Sequence, residues 1–142
     1  LYPFVSGAIN ALYRHHVVFE LMLLKPNMVL PGKGCRRAPA AEVAQATLKV
    51  LRRTVPAALP SIHFLSGGQT PEEATENLNA INQLGHNSPW RLSLSYGRAL
   101  QQPALNAWLG QAENQMAAQQ ALLKRARLNH RAMLGEYHGG LE

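Results

Sequence analysis

Aspartate is absent from this sequence: all eight acidic residues are glutamates, set against fourteen lysines and arginines. Any carboxylate chemistry therefore falls to glutamate. Cysteine is confined to Cys35, which excludes an intrachain disulfide and a multi-cysteine metal site and fits a reducing compartment. No base stands beside Cys35 in the sequence, so it reads as an inert thiol rather than a nucleophile. No apolar run approaches the roughly 20 residues that a membrane-spanning helix needs. The opening Leu1-Tyr2-Pro3-Phe4 has neither an initiator Met nor a signal-peptide pattern, and it reads as the interior of a longer protein. The six histidines show no metal-ligand spacing, and His15 and His16 are adjacent and point to different faces. Neither a metal nor a cofactor is expected.

What is present bounds the fold. The 142 residues are one domain's worth, with 46% apolar residues to build a core. That is well short of the roughly 250 residues of a closed (β/α)₈ barrel. The net charge is +6, which points to nucleic acid, an anionic surface or phosphorylated substrates. The basic residues nevertheless fall in separate clusters: Arg36-Arg37, Arg52-Arg53, and the set from Lys124 to Arg131. Such clusters read as solvated helix faces, and the nucleic-acid reading is set aside.

Short apolar runs alternate with helical patterns. A helix is expected over about 4–14, with Val5, Ala8, Leu12 and Tyr13 inward. Val17 to Leu24 is nearly continuously apolar, as a strand buried on both faces requires, and Pro26 should stop it. A helix over about 41–54 follows, then a strand from Ser61 to Leu65. Thr70-Pro71-Glu72-Glu73 combines an N-cap threonine, proline at the first helical position and glutamate at the third, a strong helix start. A third strand runs from Trp90 to Leu94, then a short helix to about Trp108 and a last helix from about Glu113 to Leu134. Gly135 can end that helix, and the tail from about 136 is expected to be loose. Strand, helix, strand, helix implies a parallel sheet, and its open edges call for a cover.

All three strands end in polar or glycine-rich residues, where parallel α/β folds place their sites. The first ending is Lys25. A lysine in an apolar strand end can act as a neutral amine toward a ketone, or its stem can carry the charge out to solvent. Spacing leaves both open. The second ending, Ser66-Gly67-Gly68, offers successive N–H groups that cradle an anion, though an isolated Ser-Gly-Gly is also an ordinary turn. The third, Ser95-Tyr96-Gly97-Arg98, sets a glycine N–H beside a guanidinium suited to phosphate, or to capping its own helix.

Together these stretches resemble the class I (Schiff-base) fructose-1,6-bisphosphate aldolases. The resemblance is carried by Leu23-Leu-Lys-Pro-Asn-Met-Val29, Leu51-Arg-Arg-Thr-Val-Pro56 and Phe64-Leu-Ser-Gly-Gly-Gln69, with Glu72-Glu-Ala74 and Asn77-Leu-Asn-Ala-Ile-Asn82. Pro89-Trp90, Ser95-Tyr-Gly-Arg-Ala-Leu100, Ala107-Trp108 and Glu113-Asn114 continue it in order through nearly the whole chain.

The resemblance implies an α/β fold: the C-terminal portion, about strands six to eight with their helices, of a TIM barrel, as a single partial domain over 1–142. It implies reversible aldol cleavage of fructose 1,6-bisphosphate to dihydroxyacetone phosphate and glyceraldehyde 3-phosphate. Lys25 would be the Schiff-base lysine. Ser66, Gly67, Ser95, Gly97 and Arg98 would hold a substrate phosphate, and Glu20 would be a supporting strand glutamate. The partner is a phosphorylated sugar, with a homo-oligomer or protein partner over the open edges, in the cytoplasm or an organelle stroma.

Three departures accompany it. No residue here matches the family's acid/base carboxylates and further lysines. Leu21 stands where the family usually has glycine, a large residue at a tight place. The mobile tail with its terminal tyrosine has no counterpart. The chain alone is therefore expected to be incomplete and inactive. A non-catalytic, aldolase-derived interaction module is the alternative.

Overall fold

The computed structural model describes residues 1–142. Helix α1 (Tyr2–Arg14) starts with Pro3 in its first turn, where a missing N–H costs nothing. Val5 and Ile9 are its buried residues. Ala8 and Tyr13 are exposed rather than inward, although the Tyr13 ring lies 4.6 Å from that of Phe19.

The run from Val17 to Leu24 departs from the expected strand. Phe19–Leu21 forms a 3-10 turn, and only Leu23–Leu24 (β1) enters the ladder. The physical reason is one-sided pairing: β1 bonds to β2 alone, and no strand pairs with its other edge. Val18, Leu21 and Leu23 are 54%, 86% and 49% exposed, so this run is not buried on both faces. Leu21 is likewise not crowded, since its side chain points to solvent.

The other two strands fall where the sequence places them, as β2 (Ser61–Phe64) and β3 (Arg91–Leu94). All pairing is parallel in the order β1-β2-β3, with Leu23 level with Ser61 and Ser61 level with Arg91. Pro26 interrupts the ladder as expected, and Asn27 resumes it with a single bridge to Leu65.

Helices α2 (Ala40–Thr54) and α3 (Pro71–Leu84) pack on each other and close one face of the sheet. Ile62 and Phe64 of β2 are fully buried in the cluster that holds Leu48 and Leu51 of α2 and Leu78 and Ile81 of α3. Their neighbours Ser61, His63 and Leu65 alternate to the opposite face and are only half-buried. The sheet therefore has one dry face and one that is only partly covered, where Ser93, level with His63, is buried against Met133 of the last helix.

The start of α3 follows from its sequence. Glu73 N–H donates to Thr70 Oγ1 at 3.2 Å, and Thr70 N–H donates to Glu73 Oε2 at 2.8 Å, closing the capping box. Helices α4 (Arg98–Trp108) and α5 (Gln115–Met133) pack together, and α5 lies on α3.

Gly135 ends α5 at φ +74°, a left-handed conformation that glycine adopts freely. Beyond it the expected loose tail is docked. Tyr137 is buried, and its N–H donates to Asn79 Oδ1 at 2.9 Å. Arg125 breaks the solvated-face reading of its cluster, being 4% exposed. It donates to both Glu142 oxygens at 2.9 and 2.8 Å and to Thr75 Oγ1 and the Pro71 carbonyl. A guanidinium can be buried here because its two terminal NH₂ groups find acceptors and a carboxylate faces it, although its Nε–H is left without a partner.

Candidate active site at the strand ends

Hydrogen bonds fasten the three C-terminal strand ends side by side. Leu65 N–H donates to the Pro26 carbonyl at 2.9 Å, and Ser95 N–H donates to the Phe64 carbonyl at 2.8 Å. Lys25, Ser66 and Ser95 therefore leave adjacent strands within one or two residues of a common row.

Lys25 directly follows β1 and is exposed. It is not enclosed in an apolar strand end, because β1 is short and one of its sides is open. Its neighbour Asn27 approaches the second ending closely: a Cβ added at Gly67 would stand 3.1 Å from Asn27 Oδ1. Glycine at that position lets the two loops touch. Gly68 follows at φ +78°, and Gln69 N–H returns to the Ser66 carbonyl at 3.1 Å, closing a tight turn.

The third ending is a helix N-terminus. Gly97 is the N-cap residue of α4, no side chain caps that end, and the carbonyl of Gly97 accepts from Leu100 and Gln101. The first N–H groups of α4 are therefore free to meet an anion, favoured by the positive end of the helix dipole. Arg98 is exposed and makes no ion pair, so it neither caps nor bridges its own helix. Tyr96, next to Ser95 and Gly97 in the chain, is buried and donates its hydroxyl to the Ala74 carbonyl of α3 at 2.7 Å. Burial holds this phenol well above the ordinary tyrosine range, so it stays a donor.

Glu20 stands apart. It lies on the 3-10 turn rather than on a strand, is exposed, and makes no ion pair. A cleft of about 970 Å³ lies beside the row and not over it. It is lined by Asn27, Lys33, Arg37, Gly67, Gln69 and Glu73 among other residues, while Lys25, Ser95 and Arg98 lie outside it.

This arrangement matches known proteins closely. Residues 4–142 match the family model for class I fructose-bisphosphate aldolase. The chain belongs to the class I fructose-bisphosphate aldolase family.

It is 53% identical over 135 residues to the cytoplasmic isozyme 2 of fructose-bisphosphate aldolase from Pisum sativum, covering 95% of this chain and 38% of that relative. Fructose-bisphosphate aldolase B from Gallus gallus is 54% identical over 134 residues, 94% of this chain and 37% of that protein. A solved structure of fructose-bisphosphate aldolase from Plasmodium falciparum, in complex with TRAP and a small-molecule inhibitor, superposes with a TM-score of 0.92 at 50% identity. It covers 96% of this chain and 39% of that one. The chain thus spans somewhat more than a third of the length of these aldolases, and its α/β order is that of a TIM-barrel enzyme.

Sequence reasoning missed two supports of the site. Asn27 sits inside the Lys-Pro-Asn-Met run, but nothing local announces its approach to Gly67. Tyr96 sits inside the Ser-Tyr-Gly-Arg run, and its acceptor lies 22 residues back. Both contacts join different elements, which a pattern along one strand does not reveal.

Proposed function

We propose that this chain carries the imine-forming lysine and one phosphate site of a class I fructose-bisphosphate aldolase, and that its strands are about the sixth to eighth of the barrel. The row of strand ends supports this best: the bonds from Pro26 to Leu65 and from Phe64 to Ser95 bring Lys25 beside two anion-binding endings.

In this reading the neutral Lys25 amine adds its lone pair to the ketone carbon of a phosphorylated ketose. The carbonyl oxygen takes one proton from the amine nitrogen and a second from solvent and leaves as water, and a protonated C=N bond remains. Ser66, Gly67, Ser95, Gly97 and Arg98 hold the phosphate through backbone N–H groups, hydroxyls and a guanidinium. The iminium draws electrons from the neighbouring C3–C4 bond, which breaks as a base removes the C4 hydroxyl proton. No residue here matches that base, so the chain alone forms the imine but turns over negligibly. The pea and chickpea relatives are named cytoplasmic isozymes, and the cytoplasm is the compartment assigned here.

The test is intact mass after borohydride reduction with dihydroxyacetone phosphate, followed by peptide mapping. One adduct at Lys25 is the expected result, and an adduct elsewhere or none overturns the reading. The exposed Val18, Leu21 and Leu23 favour a second reading in which a protein partner or another copy covers the β1 edge. Light scattering tests it: a monodisperse monomer contradicts that cover.

A further inference from the structure

The constant register brings an unused histidine to the reactive lysine. Leu23, Leu24 and Asn27 of the first strand segment stand level with Ser61, Ile62 and Leu65. Lys25 is therefore level with His63 on the neighbouring strand, about 4.8 Å away across the ladder. Both alternate away from the dry face, since Ile62 and Phe64 on either side of His63 point into the core.

The His63 ring is fixed: its Nε2 lies 3.0 Å from Ser61 Oγ on the same face. Lys25, by contrast, makes no hydrogen bond or ion pair with any side chain, and its edge is open. A long flexible stem beside a fixed ring has fewer rotamers open to it, and an amine aimed in advance reacts faster.

We propose that His63 is a positioning residue for Lys25, its imidazole anchored by Ser61 so that it walls the lysine stem toward the phosphate-binding endings. This rests on the imine reading above. The alternative role, a polar pair that satisfies itself on a half-buried face, would leave the rate of imine formation untouched.

The experiment measures the rate of borohydride-trapped adduct formation in the 142-residue chain, with dihydroxyacetone phosphate varied to saturation. His63→Ala is expected to slow the saturated rate about tenfold while the half-saturating concentration stays within about twofold. His63→Gln, which can still bond Ser61, is expected to recover most of the loss. Ser61→Ala, which frees the ring, is expected to lose less in the same direction.

An unchanged saturated rate in His63→Ala overturns the proposal, as does a change confined to half-saturation. If circular dichroism shows that His63→Ala does not fold, Ser61→Ala decides, and an unchanged rate there overturns it equally. If the unaltered chain gives no adduct, the imine reading fails and this inference falls with it. If the adduct forms and all variants match it, only the role of His63 fails.

Discussion

Lys25 and Arg125 are both long cations, and the molecule treats them in opposite ways. Arg125 is 4% exposed beneath the docked tail, with donors directed to Glu142, Thr75 and Pro71. Lys25 stands exposed at the end of a strand that pairs on one side only. The apolar run before Lys25 looked the better candidate for burial, and Arg125 sits in a cluster that looked solvated. Burial follows from having neighbours on every side, and only the junction of α3, α5 and the tail supplies them.

The comparison breaks most readily through core truncations. Phe64 is fully buried, and Phe64→Ala is expected to lower stability by about 4 kcal/mol, whereas Leu23→Ala at the open edge costs below about 1 kcal/mol. Urea unfolding measures both, and equal losses would mean that the edge is packed in solution. Next comes Arg125→Ala, expected to cost about 3 kcal/mol because it strips the half-buried Glu142 carboxylate of its cation and Thr75 Oγ1 of a donor. Lys25→Ala is expected to change stability by less than about 0.5 kcal/mol. A comparable loss from both cations would erase the distinction.

A smaller effect is expected at the capping box. Thr70→Ala removes the acceptor for Glu73 N–H and should cost about 1 kcal/mol, read from the same urea titrations. Little or no loss would mean that tertiary packing alone holds the start of α3.

The smallest effect is a pH dependence in the tail. Burial, then the hydrogen bond to Glu142 and that carboxylate's charge, push the Tyr137 phenol up to about 12. The folded chain thus holds this proton more tightly than the unfolded chain, whose tyrosines titrate near about 10. The contribution is full below about pH 10 and is lost as pH rises toward about 12. Melting temperatures across that range should fall less steeply for Tyr137→Phe than for the unaltered chain. Identical slopes would show that the tail is undocked in alkali.

The legible parts of the fold were those with local causes. Thr70, Pro71 and Glu73 lie within a single turn, and their capping chemistry works without distant help. Ser61 to Phe64 and Arg91 to Leu94 read correctly because helices lie over their apolar alternates. Val17 to Leu24 read wrongly because its apolarity carries no word on whether a second neighbour exists.

The tail read wrongly for a related reason. Glu142 reaches back 17 residues to Arg125, and Tyr137 reaches 58 residues to Asn79. In the site, spacing left Lys25 undecided between two roles. The motifs around it pointed to a family, and the register then placed those motifs in one row.

The central claim is that Lys25 and the endings at Ser66 and Arg98 act on one molecule. Comparing borohydride labelling by dihydroxyacetone phosphate with labelling by dihydroxyacetone, which lacks the phosphate, tests it most directly. The account expects the phosphorylated ketone to label Lys25 at far lower concentration, and expects Arg98→Ala to remove most of that advantage. Equal labelling by the two ketones in the unaltered chain would contradict it.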